Sequence, residues 1–335
     1  MSMPEYRVQS SEGRKFESDS LSLDSIGPVN SSELVWLDVL HPNDEFKTFL
    51  IDDINVDELV IEDVFGDAST TTQRFNNHRF ITVQARDADN RLDTEYVNII
   101  IQGNLLISSR TTTIPALDVF SNRVKEATPE ELSLGIDFLL YELLDSIADD
   151  WTPILGSYSD ELDRLEYQVF DPSEKYDNLL EGLHTLKRRL REAYKSIESL
   201  HTVLLRMMKP GEYLISKNTE RYFLDTQQLV TTLVKRCNNY SNGATSTRDT
   251  YLSHVSLRLA ESNAQLSEVV TTLTLLGAII LPLTLIAGIF GMNNEDLPDD
   301  AIGGFWGVLG FMMIFAFFIL AYFWRRGWLN VFKKD

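Results

Sequence analysis

The sequence predicts an α+β domain, a mixed sheet with flanking helices, followed by long helices, a coiled-coil stalk and two C-terminal transmembrane helices. Three observations lead there. Residues 1–126 alternate short β-branched runs with helical spacing; residues 127–268 carry helical periodicity with few breaks; two uncharged apolar stretches, 269–290 and 301–324, lie near the end of the 335-residue chain.

In the first region, "LVWLDVL" (Leu34–Leu40) and "RFITVQA" (Arg79–Ala85) read as strands. "YVNIII" and "NLLISSR" flank Gln102-Gly103 and read as a hairpin. Between these runs, "NDEFKTFLID" and "VDELVIEDVF" have the apolar spacing of helices. Beyond Thr128 the pattern changes. Thr128, Pro129 and Glu131 make a capping box with proline at the first helical position, so a long helix is expected from there to Phe170, stopping at Asp171-Pro172. Ser173–Lys209 reads as a second, ended by Pro210-Gly211. A third begins near Asn218-Thr219-Glu220, with Ser241–Thr247 as a weak spot. Along it Leu252, Val255, Leu259, Leu266, Val270 and Leu273 recur at steps of three, four and seven, a coiled-coil seam. No stop signal separates the seam from the first apolar stretch. One rod through the bilayer is expected.

Val269–Phe290 passes 22 residues without a charge and Ala301–Trp324 another 24. At about 1.5 Å per residue each exceeds the roughly 30 Å of a hydrocarbon core. Arg325, Arg326, Lys333 and Lys334 follow the second span at once, and short basic flanks stay in the cytoplasm. The 291–300 connection has neither Lys nor Arg. These flanks predict a multi-pass protein of the plasma (inner) membrane with both termini cytoplasmic and membrane lipid around its spans. Tyr322, Trp324 and Trp328 supply an aromatic belt at the inner interface. Met1–Ser20 is polar, and no secretory signal is expected there. The single cysteine, Cys237, excludes an intramolecular disulfide framework.

Net charge is −20; residues 291–300 carry −4 and the 325–335 tail +3, which leaves −19 for residues 1–290. Such a surface repels nucleic acid and attracts cations. For the acidity alone, a solvated, soluble surface is the better account.

Within the first span Val270, Gly277 and Thr284 fall seven apart, with Leu273, Leu281 and Gly288 beside them. Small residues there fit a plain helix–helix contact. They also fit a narrow pore lined by Thr284 and closed at Leu281, Gly277 and Leu273. Pro282 would kink the helix locally and free a carbonyl, tolerated where backbone faces protein or water. Spacing alone does not choose.

The stretch "LPLTLIAGIFGMNNEDLP" (Leu281–Pro298), ending a span and followed by a second span and a basic tail, resembles the signature of the CorA family of divalent-cation channels. "WLDVLHP" (Trp36–Pro42) and "LVIEDVF" (Leu59–Phe65) are similar to that family's N-terminal domain, and "YFLD" (Tyr222–Asp225) and "YLSHVS" (Tyr251–Ser256) to its stalk. The resemblance implies a funnel-shaped homopentamer, with Gly291, Met292 and Asn293 as the outer selectivity ring. Mg²⁺ sheds its waters reluctantly, and neutral Asn293 amide oxygens can accept hydrogen bonds from those waters without stripping them. A Cβ at Gly291 would crowd the mouth. Glu295 and Asp299 would concentrate cations, while Asn294 and Asp296 depart from the aromatic residues of many relatives. The resemblance further implies Mg²⁺ as both cargo and regulator, bound between neighbouring subunits by Asp225 and by Asp87 or Asp89 of "ARDADNR".

Two other readings compete. A sister branch, the ZntB-like zinc transporters, shares the architecture, but zinc would recruit His or Cys near the pore and residues 262–335 contain neither. A membrane-tethered coiled-coil scaffold explains the stalk but not an acidic loop joined to Gly-Met-Asn. No phosphate-cradling glycine loop and no zinc-ligand spacing among the five histidines points to an enzyme.

Overall fold

The computed structural model describes residues 5–12, 15–18, 21, 33–66, 69–88, 94–170, 178–209, 215–292 and 304–328. These fall into two compact units, Met1–Thr250 and Tyr251–Asp335.

The first unit holds a seven-stranded sheet in the order β2-β1-β3-β7-β6-β5-β4. Its strands are β1 (Glu5–Ser10), β2 (Lys15–Ser18), β3 (Val35–Leu40), β4 (Thr71–Arg74), β5 (Arg79–Arg86), β6 (Thr94–Gln102) and β7 (Leu105–Arg110). Only β3 and β7 run parallel; the other pairs are antiparallel. The β6–β7 hairpin turns at Gly103, whose φ of 58° favours glycine. β3 is buried on both faces, which is why "VWLDVL" is nearly continuously apolar. On one face Val35, Leu37 and Val39 meet Phe46, Leu50 and Val60 from α1 (Asp44–Thr48), the π turn Phe49–Asp53 and α2 (Glu58–Phe65). On the other, Trp36 stacks edge-on against Phe120 of α3 (Pro115–Glu126), centroids 4.7 Å apart. Asp38 shares that second face and is buried because Arg110 pairs with it at 2.7 Å and Ser108 donates to it at 2.8 Å.

Apart from the helix expected from Thr128, the strands and helices expected from sequence are present. β1, β2, β4 and α3 are additions. "TTQR" of β4 is polar because it is an edge strand, and edge strands are blunted with polar side chains.

The helix expected from Thr128 is corrected. Its capping box exists: Thr128 accepts from the Glu131 amide at 3.3 Å and Glu131 accepts from the Thr128 amide at 2.8 Å. It caps only α4 (Pro129–Leu132), however. Gly135, at φ 95°, breaks the chain, and the long helix α5 begins afresh at Ile136 and reaches Phe170. α6 spans Leu179–Met207. The stops expected at Asp171-Pro172 and Pro210-Gly211 lie outside the described residues.

α7 is one helix of 71 residues, Glu220–Phe290, about 107 Å long at 1.5 Å per residue. Its foot is anchored by the buried Asp137 of α5, which accepts from the Ser216 amide at 2.9 Å and the Thr219 hydroxyl at 2.5 Å. Ser241–Thr247 is not a break. A Cβ added at Gly243 would lie 2.9 Å from a Leu162 methyl, Ala244 is fully buried, and Thr247 donates to Glu166 at 3.0 Å. The small residues that look weak in sequence are there because helices approach closely.

In the second unit every residue of α7 from Ser256 to Val270 is exposed. α8 (Gly304–Arg325) returns beside the apolar end of α7: Phe305, Val308 and Leu309 share a cavity with Ala287, Phe290 and Gly291. Both helices are long and apolar enough to cross a membrane.

Candidate functional site

Leu275, 4% exposed, marks the covered side of the apolar part of α7. At 100° per residue, Leu273 and Gly277 lie about 160° from it, Thr284 about 180°, Val270 and Gly288 about 140° and Leu281 about 120°. All six positions singled out in the first span therefore occupy the opposite side, which the chain leaves largely open, as it does Leu276 and Leu285 on the flanks. Val270, Leu273 and Leu281 are 60%, 64% and 72% exposed, and a Cβ built on Gly277 or Gly288 meets nothing within 4 Å. The Thr284 hydroxyl donates its proton to the Ile280 carbonyl at 2.8 Å, so its oxygen lone pairs remain for the open side. Pro282, seven residues from Leu275, lies on the covered side, and the helix continues through it.

At the C-terminal end of α7 the Gly291 amide donates to Ala287 at 2.9 Å and the Met292 amide to Ile289 at 3.3 Å, a tightened last turn. A Cβ at Gly291 would stand 2.9 Å from the Ala287 carbonyl oxygen. Within one chain the glycine is thus required by the helix's own last turn, a steric demand distinct from crowding at a pore mouth. Met292 is exposed. Asn293, Asn294, Glu295, Asp296 and Asp299 lie outside the described residues.

Asp225 is exposed near the foot of α7. The neighbouring Thr226 donates to Asp145 of α5 at 2.8 Å, and Tyr141 lies in the same corner, 5.1 Å from the Tyr222 ring. Burial pushes the Tyr141 phenol up, with the charges of Asp145, Glu142 and Asp225 adding to it. Asp87 is buried at the end of β5, after Arg86, which makes a two-pronged pair with Asp150 at 2.7 and 2.8 Å. Asp89 lies outside the described residues. Among the described residues of one chain, no three His, Cys, Asp or Glu side chains are grouped to hold a metal ion.

An acidic ridge on α5 escaped the sequence reading. Glu142, Asp145 and Asp149 converge on Arg123 of α3 at 3.5, 2.8 and 2.5 Å. Burial works against the Arg123 charge, but hydrogen bonds to Asp145 and Asp149 outweigh it and raise its pKa. Burial likewise raises Glu142, with Arg123 opposing. The available signal was an i, i+3, i+7 row of acids on an otherwise apolar helix.

The family profile described as "CorA-like Mg2+ transporter protein" matches residues 31–326. The cobalt/magnesium transport protein CorA of Thermotoga maritima is 29% identical over 328 residues, 95% of this chain and 90% of that one. The solved structure of the complete CorA magnesium transporter from Methanocaldococcus jannaschii superposes with a TM-score of 0.66 at 23% identity, covering 98% of this chain and 99% of that one. The ZntB cytoplasmic domain from Vibrio parahaemolyticus does so with a TM-score of 0.62 at 12% identity, covering 76% of this chain and 99% of that one. At these identities the structural likenesses speak to the fold alone.

Proposed function

The chain belongs to the CorA-like Mg2+ transporter family, and from that premise we propose that it carries divalent cations into the cell, Mg²⁺ foremost, with Co²⁺ and Ni²⁺ as further cargo. The observation that carries this reading is the open side of α7. Five of the six positions opposite Leu275 are exposed in one chain, and the sixth, Gly277, is half-buried with room for a Cβ; five copies would close that side into a narrow pore. In this arrangement 269–290 lines the pore, 291–300 forms the outer loop, 301–324 surrounds the pore and the 325–335 tail is cytoplasmic. Residues 1–126 and 127–268 make the cytoplasmic domain and stalk of a funnel-shaped homopentamer. Leu273 and Leu281 are then rings of apolar side chains that stop ions when the pore dewets. Above them Gly291, Met292 and Asn293 receive the hydrated ion, and Glu295 and Asp299 raise its local concentration.

Mg²⁺ on the cytoplasmic side regulates the pore. Bound between Asp225 of one subunit and Asp87 or Asp89 of the next, it offsets their mutual repulsion and holds the subunits together.

Zinc transport is the second reading, since the ZntB-like transporters share the architecture. The absence of His and Cys from residues 262–335 weighs against it. The deciding experiment is uptake of Mg²⁺ and of Zn²⁺ into liposomes containing the purified protein, with and without a proton gradient. Mg²⁺ entry that needs no gradient is expected. Zn²⁺ entry driven by the gradient, without Mg²⁺ entry, would replace this reading with the second.

A further inference from the structure

α8 runs from Gly304 to Trp324 without a charge and ends on Arg325. Its last turn closes tightly: the Arg326 amide donates to the Tyr322 carbonyl at 3.0 Å and the Gly327 amide to the Trp324 carbonyl at 3.1 Å. Gly327 then takes a φ of 75°, a left-handed conformation that glycine adopts without a Cβ clash, and the chain reverses at the helix end. The reversal brings Trp328 back onto Phe323, ring centroids 5.5 Å apart and planes 21° apart, and Phe323 is buried there. Arg326 lies over the Tyr322 ring, 5.7 Å from its centroid. Arg325, Arg326 and Trp328 thus share one short, folded turn.

What these three side chains lack is an acceptor. Guanidinium and indole groups only donate hydrogen bonds. Among the described residues no carboxylate pairs with Arg325 or Arg326, and nothing accepts from the Trp328 indole N–H. Both arginines are exposed and Trp328 is half-exposed. The chain has 50 acidic residues against 30 lysines and arginines, so two adjacent arginines without a carboxylate call for a partner outside it. Their place supplies one. α8 has 22 residues, about 33 Å at 1.5 Å per residue, so a span that begins at one face of the hydrocarbon core ends at the other. Arg325 and Arg326 then stand at the depth of the headgroups, where lipid phosphates offer acceptors. Tyr322, Trp324 and Trp328, aromatic rings with a polar edge, mark the same depth.

We propose that the turn at 325–328 is a built site for the headgroup of an anionic phospholipid, whose phosphate oxygens accept from the two guanidinium groups and from the Trp328 indole N–H. A zwitterionic headgroup balances its phosphate with its own ammonium, so two positive charges select a lipid of net negative charge. Arginine suits this role better than lysine, because its planar fork meets two phosphate oxygens at once. The left-handed Gly327 and the stack of Trp328 on Phe323 hold the donors together before lipid arrives, which separates a site from diffuse attraction to a charged surface. The proposal rests on the reading of α8 as a membrane span and does not depend on which ion is carried.

The test is native mass spectrometry of the full-length protein in dodecyl maltoside, titrated with dioleoylphosphatidylglycerol in one arm and dioleoylphosphatidylcholine in the other. Saturable binding of phosphatidylglycerol is expected, about tenfold or more tighter than that of phosphatidylcholine. Arg325→Gln together with Arg326→Gln should abolish this preference, while Lys333 and Lys334 remain to orient the span. Arg325→Lys with Arg326→Lys keeps every charge and should still weaken binding several-fold, because the forks are gone. Gly327→Val, strained at a φ of 75°, should weaken it likewise with both arginines in place. An unchanged unfolding midpoint without added lipid is the folding control for each variant. Equal affinity for the two lipids overturns the proposal, as does wild-type preference in the double Gln variant or wild-type affinity in Gly327→Val. A double Gln variant that unfolds early without lipid, while the double Lys variant binds lipid as wild type does, overturns it too and gives the arginines to carboxylates of another copy. Mg²⁺ uptake into liposomes is a separate readout, so a failure of transport leaves the lipid result standing.

Discussion

Gly291 and Asn293 are neighbours in a three-residue motif, yet different physics fixes each. The glycine is dictated by the Ala287 carbonyl that a Cβ would strike. For the asparagine the proposed reason is chemical: a neutral acceptor would hold a hydrated Mg²⁺ by its waters without the strong attraction that would trap it. Asn293→Ala removes that acceptor and little mass. Mg²⁺ uptake into liposomes is expected to fall by about tenfold or more, at least one hydrogen-bonded acceptor's worth of about 1.4 kcal/mol, while cross-linking still reports pentamers. Normal uptake would remove Asn293 from the selectivity ring. The motif stands out in the sequence because it ends a charge-free run, and the role proposed for it rests on that position. Arg123 was not legible, since its meaning lies in partners far away in the chain: it reaches acids up to 26 residues on.

Among the elements, β3 and β7 are joined by a buried ion pair as well as by their parallel ladder. Asp38 and Arg110 have side chains 3% and 4% exposed, and Trp36 donates to Ser108, which donates to Asp38. Breaking such a pair leaves an unpartnered charge in the interior. Arg110→Met is expected to destabilise the first unit by about 3–5 kcal/mol in chemical denaturation, and adding Asp38→Leu should restore a good part of it. A loss in the single variant no larger than that of a surface substitution would show the pair to be energetically idle. "VWLDVL" announced a buried strand; that its aspartate is paired with a residue 72 positions on was invisible. Polar edge strands were missed for a related reason, because β4 owes its place to pairing with β5 and not to its own residues. α7 was legible as a rod because its heptad seam runs into the apolar span without a breaker. Leu252, Leu259 and Leu266 on that seam are 47%, 61% and 60% exposed in one chain, and in the proposed pentamer their partners come from other copies. Leu266→Asp should therefore abolish the pentamer in cross-linking while leaving the unfolding transition of the first unit unchanged. Pentamers that survive would move the assembly contacts off the seam.

For the whole assembly the decisive quantity is charge. Residues 1–290 carry −19, so in the proposed pentamer five such domains gathered round one axis would repel each other unless cations intervened. Much of this charge is paired within the chain, as Arg123 does for the α5 ridge and Arg86 for Asp150. Asp225 instead sits exposed beside that ridge, where a neighbour could reach it. A cation shared by Asp225 and an acid of the 87–89 turn would bind the closed pentamer and not the open one. Its differential affinity then sets the population, and five equivalent sites multiply the shift. On this proposal, loss of Mg²⁺ would remove the neutralising charge, the subunits would part and the pore-lining helices would follow. Asp225→Lys replaces the ion with a tethered ammonium. Some closure persists, because that ammonium can pair with the remaining carboxylate, but its dependence on Mg²⁺ is gone. Limited proteolysis of the detergent-solubilised pentamer across a Mg²⁺ titration separates the cases. Wild type should become protected as Mg²⁺ rises into the millimolar range, whereas Asp225→Lys should respond flatly at an intermediate level. The same Mg²⁺-dependent protection in both proteins would place the regulatory ion elsewhere on the acidic surface, and would leave the assignment of the pore untouched.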